Sequence, residues 1–129
     1  MKSLILTLSL LTAIPAAYAH EGHEMPGVIK AAHGGIVVAG KEFNMEYMQS
    51  GTEIKLYPLP HPGDTFDFSK VKFTATAKAP KEKESELKLE KKENAFVTTV
   101  DFKKAYRLEI IVTSDNAGKK DKFKFQVEK

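Results

Sequence analysis

A chain of 129 residues whose 20 basic and 17 acidic side chains nearly cancel to +3 is limited to a single domain and lacks the concentrated positive charge of a nucleic-acid binder. It has no cysteine, which excludes a disulfide framework, a thiolate metal site and lipid attachment through sulfur. The charge is spread over lysines and carboxylates along the whole chain, as on an ordinary solvated surface.

The N-terminus is the first recognisable element. Lys2 precedes an apolar run from Leu4 to Ile14, and Ala17-Tyr18-Ala19 has the small-x-small pattern at which a signal peptide is cut. Residues 1–19 are therefore predicted to be removed on export, leaving 110 residues that begin at His20. No other apolar stretch is long enough to span a bilayer, so the processed chain is expected in the periplasm without a membrane span. Residues 20–31, with two glycines, a proline and no periodicity, read as a flexible arm.

From Gly35 onward hydrophobic residues alternate with polar ones. The alternation predicts strands over Ile36 to Ala39, Glu42 to Gln49, Glu53 to Leu59, Val71 to Lys78, Glu84 to Lys91, Ala95 to Phe102, Tyr106 to Thr113 and Lys122 to Glu128. Phe43, Met45 and Tyr47 share one face, with Asn44, Glu46 and Met48 on the other; Val71, Phe73, Ala75 and Ala77, then Tyr106, Leu108, Ile110 and Val112, then Phe123, Phe125 and Val127 form further apolar rows. Gly40-Lys41, Ser50-Gly51 and Asn116-Ala117-Gly118 are turn signals, and Pro58, Pro60 and Pro62 predict an interruption over Leu59 to Asp64. The Lys- and Glu-rich stretch from Lys81 to Glu93 reads as a strand, because its apolar residues, Leu87 and Leu89, lie two apart. The fold class expected over residues 32–129 is all-β: a single small antiparallel β-sandwich, immunoglobulin-like, or a partly open barrel.

Recognised catalytic patterns are missing: there is no Gly-x-Ser-x-Gly elbow, no phosphate loop and no cysteine nucleophile. A binding protein without turnover is expected. Histidine carries the chemical signal, since three of the four His residues, His20, His23 and His33, fall within the first 14 residues after the predicted cleavage site. In Ala32-His33-Gly34-Gly35 the two glycines permit a tight turn on which the ring of His33 is free to meet copper, zinc or nickel. Equally, the glycines serve simply to turn the chain into the first strand. His61, held between Pro60 and Pro62, is either a pre-ordered ligand or a plain turn residue. Glu46 is either part of a polar strand face or an oxygen donor to a metal ion. Cleavage after Ala19 would leave His20 with a free amine, so that amine, its ring and His23 are either a nitrogen-rich copper ligand set or the incidental content of a flexible start.

Ala32-His33-Gly34-Gly35, followed by Glu42-Phe43-Asn44-Met45-Glu46-Tyr47 and Glu53-Ile54-Lys55-Leu56-Tyr57, resembles small exported bacterial His-Gly-Gly β-domain proteins and domains associated with heavy-metal efflux adaptors. The resemblance spans roughly Ala32 to Thr113. It implies a β-sandwich, a periplasmic role in copper or zinc handling beside an efflux-system partner, and site roles for His33 and Glu46. Such proteins often carry an Asp-His pair after the Leu-Tyr strand; here Leu59-Pro60 precedes His61. The competing expectation is an interaction module that docks to an envelope protein.

Overall fold

The structure, a computed structural model, describes residues 29–129. The predicted signal segment, His20 and His23 lie outside the described residues. Nine strands follow in order: β1 (Ile36–Val38), β2 (Asn44–Ser50), β3 (Glu53–Leu59), β4 (Lys72–Lys78), β5 (Ser85–Leu87), β6 (Glu90–Lys92), β7 (Ala95–Thr99), β8 (Arg107–Asn116) and β9 (Lys119–Glu128), with one 3-10 turn at Phe68–Lys70. They form two antiparallel sheets, β1-β2-β3-β7-β6 and β5-β4-β8-β9. The fold is a small β-sandwich. Among the described residues no helix is long and apolar enough to cross a membrane.

Alternation decides the packing. Met45, Ile54 and Leu56 from one sheet meet Ala75, Ala77, Leu108, Ile110, Val112, Phe123, Phe125 and Val127 from the other, all buried. Phe43 anchors an aromatic cluster, with ring centroids 5.0 Å from Phe66, 5.1 Å from Phe68 and 5.5 Å from Phe123. Tyr47 stacks on Phe125 across the sheets at 3.9 Å. Aromatic pairs of this kind contribute about 0.5–1.5 kcal/mol each beyond the apolar area they bury. Two-residue turns at Gly51-Thr52 and Ala117-Gly118 set the β2–β3 and β8–β9 registers, Ser50 facing Glu53 and Asn116 facing Lys119.

Several expected elements differ in detail. The stretch predicted as one strand over Glu84 to Lys91 is two short ones in different sheets: β5 pairs with β4, and β6 pairs with β7. Lys88-Leu89 is the crossover. Leu87 and Leu89 both pack against the core as the chain passes between layers, so their two-residue spacing served two sheets. Pro58 lies inside β3 opposite Met45, beyond the last β3–β7 pair, Leu56 with Phe96; its missing N–H removes no ladder bond to β7. Tyr106, placed in an apolar row by the alternation, is 66% exposed because β8 begins one residue later. The strand expected over Ala95 to Phe102 ends at Thr99, although Val100 and Phe102 remain buried.

Candidate functional site

Glu46 occupies the middle of β2, between Met45 and Tyr47, whose side chains point into the core. Its own side chain must project from the opposite, outer face. A glutamate there is normally solvated, yet Glu46 is 0% exposed. The segment Ala32 to Gly35 lies across it.

Four donors converge on the carboxylate. Its Oε1 accepts from the backbone N–H of His33 at 2.8 Å and of Gly35 at 2.8 Å. Its Oε2 accepts from the N–H of Ala32 at 3.0 Å and meets Nδ1 of His33 at 2.9 Å. A carboxylate is acceptor-only, so Nδ1 must carry the proton and a neutral His33 ring keeps its lone pair on Nε2. The ring lies flat on Tyr57, at a centroid distance of 3.8 Å and an interplanar angle of 15°. Tyr57 is the β3 residue directly opposite Glu46. The His33 side chain remains 31% exposed.

Both glycines of His33-Gly34-Gly35 are needed for this wrap. Gly34 has φ +79°, which side-chain-bearing residues rarely adopt. At Gly35 an added Cβ would lie only 2.8 Å from Met48 Cγ and would collide with the Tyr47 carbonyl oxygen. The turn thus lies tight against β2, where its N–H groups reach the carboxylate.

Burial by itself pushes the Glu46 carboxyl pKa up, but the His33 ring and the N–H groups of Gly35, His33 and Ala32 together hold it below its ordinary value of 4.5. The group is a buried anion stabilised by hydrogen bonds. Four bonds occupy the roughly four lone-pair positions of its two oxygens, leaving none for a metal ion. Glu46 therefore orients the imidazole instead of offering an oxygen ligand.

His61 is placed elsewhere. Its Nε2 lies 3.1 Å from the carbonyl oxygen of Gly40, and its own carbonyl accepts from the N–H of Asp64 at 2.9 Å. It fastens the proline-rich loop to the connection that follows β1, whereas His33 precedes β1. The fold brings His33, Glu46 and Tyr57 together and leaves His61 at the other end of that strand. Among the described residues no three His, Cys, Asp or Glu side chains come together as a ready metal cluster.

The alternation signalled the outward direction of Glu46 but not the chain that covers it. Tyr57 and Asn44 carry no site motif in the sequence. Asn44 is 2% exposed and its Oδ1 accepts from the N–H of Gly40 at 3.3 Å, which stiffens the connection that His61 grips. A polar residue in an outward strand position, within reach of a Gly-Gly turn, is the sequence signal available for Glu46; Asn44 offers only an outward strand position four residues after the single glycine Gly40. No family model matches the chain, and neither a curated protein nor a solved structure matches it.

Proposed function

We propose that this is an exported, periplasmic metal-binding protein that buffers copper or zinc, or delivers it to a heavy-metal efflux system, with His33 as the ligand held by the fold. The observation that carries this reading is the His33 Nδ1 to Glu46 contact of 2.9 Å. Metal-binding histidines characteristically donate their second ring N–H to a carboxylate or carbonyl, which fixes the tautomer and makes the free nitrogen a better ligand. His33 has that partner, a partly exposed ring, and two following residues without side chains to obstruct an ion. It is one donor of the several an ion requires. His20 and His23, with the amine that cleavage after Ala19 would expose, are the proposed remainder. The protein acts as a carrier, without turnover.

A second reading has its own support. Three backbone N–H groups bind Glu46 without any contribution from the ring, so the turn would hold its shape in an interaction module that docks to an envelope protein and never meets a metal. Calorimetric titration of the chain beginning at His20 with Cu(I), Cu(II), Zn(II) and Ni(II) separates the two. The carrier reading expects saturable binding that His33→Ala weakens at least about tenfold and His61→Ala leaves unchanged. Absence of saturable binding by the unsubstituted chain would leave the interaction module standing. Intact mass of the exported protein checks the cleavage itself.

A further inference from the structure

We infer that the cargo is monovalent copper and that the thioether of Met48 joins His33 in holding it; this rests on the metal reading of His33. Met48 follows Glu46 by two residues in β2, so both side chains project from the same outer face. The Gly35 backbone lies between them: a Cβ built there would be 2.8 Å from Met48 Cγ and 3.1 Å from Glu46 Cγ. His33 lies over Tyr57, the partner of Glu46 in the β2–β3 ladder. Met48 is the diagonal neighbour of Tyr57, and diagonal positions in an antiparallel pair are about 7–8 Å apart, within reach of long side chains. The methionine side chain has three rotatable bonds with which to close the remaining gap. Met45, by contrast, is 0% exposed in the core.

The chemistry of the pair selects the ion. A thioether is a soft, uncharged ligand that favours Cu(I), while zinc draws no comparable benefit from it. Charge points the same way. The anionic Glu46 behind the imidazole balances one positive charge, so a monovalent ion leaves the site neutral. Lys55 stands opposite Met48 in the register with its ammonium 4.0 Å from the Glu53 carboxylate, and what repulsion that paired cation retains is half as strong for a monovalent ion as for a divalent one at equal distance. Met48 is reachable from solvent, since with Gly34 and Gly35 it lines an open cavity of about 400 Å3.

The test compares the chain beginning at His20 with its Met48→Leu and His33→Ala variants, titrated anaerobically with Cu(I) against a chromophoric chelator and separately with Zn(II). Leucine nearly matches methionine in volume, and circular dichroism verifies that each variant is folded. The expected result is that Met48→Leu weakens Cu(I) about tenfold or more while Zn(II) affinity stays within about twofold, and that X-ray absorption loses a sulfur scatterer in Met48→Leu. If His33→Ala weakens Cu(I) and Met48→Leu does not, the thioether assignment is overturned and the metal reading survives. Equal weakening of both ions by Met48→Leu would mean a structural effect and also overturn it. If the unsubstituted chain binds neither ion, both readings fall together.

Discussion

His33 and His61 stand at opposite ends of β1, each with one ring nitrogen tied to an oxygen, and the difference lies in that oxygen. His33 meets the carboxylate of the buried Glu46, whereas His61 meets the carbonyl of Gly40. A carbonyl can hold a ring in place. A carboxylate also feeds charge into the imidazole and makes its far nitrogen a stronger donor. Two histidines that look alike in the sequence, each beside residues that restrict or free the backbone, thus acquire different chemistry from what lies underneath them.

The comparison breaks most visibly at the carboxylate. Glu46→Ala removes the acceptor for three backbone N–H groups and one ring N–H at once, and the expected loss is about 2–3 kcal/mol, since a buried donor left without a partner costs about 1–3 kcal/mol and water at the partly exposed turn recovers part of the total. Urea denaturation measures it. A loss below about 1 kcal/mol would mean that solvent replaces the carboxylate and that the turn is not pinned by it.

Gly35→Ala is the next largest. The added Cβ meets the Tyr47 carbonyl and the Met48 side chain, and backbone on one side cannot yield, so a cost of about 1–3 kcal/mol is expected. The same denaturation experiment reads it, and metal affinity should fall with it, because the turn that carries His33 must lift from β2. Unchanged stability would show that the turn has room to shift.

Acid sharpens the contrast further. The folded-state pKa of Glu46 is depressed below its ordinary value of 4.5, so its stabilising contribution is fully present above that value and is lost as pH falls through the folded value. Metal-free protein should therefore lose stability below about pH 4.5 more steeply than Glu46→Gln, which has no such proton to bind. Denaturation midpoints at pH 7, 5, 4 and 3 decide the matter; parallel curves for the two proteins would remove Glu46 from the acid response.

The smallest effect belongs to the other histidine. His61→Ala deletes one neutral hydrogen bond to a loop and should cost about 0.5–1.5 kcal/mol, with no change in metal affinity. A metal defect in that variant would place His61 in the site despite its position at the far end of β1.

The two regions also differ in how far they could be read from the residues alone. The core rows Val71 to Ala77 and Phe123 to Val127 were legible because a two-residue period is imposed by strand geometry whatever the strand pairs with, and those residues do line the interior. The outward direction of Glu46 followed from the same period. Its burial did not, because Ala32 and Gly35 are 14 and 11 residues away in the chain and nothing local announces that they return to cover it. The split of the Lys81 to Glu93 stretch between β5 and β6 escaped for a similar reason: alternation says which residues share a face, not which sheet receives them.

What the sequence determined unaided was the all-β class, most strand positions, the turn at His33-Gly34-Gly35 and the residues worth suspecting. These are local properties, set by backbone geometry and side-chain order. Tertiary structure alone decided that Glu46 is an orienting anion with its lone pairs filled, that Tyr57 bears the His33 ring, that Met48 lies beside the same turn, and that His61 belongs to a different corner. Each of those facts depends on β1, β2 and β3 lying side by side, and a ladder register is fixed by long-range packing that no single segment encodes.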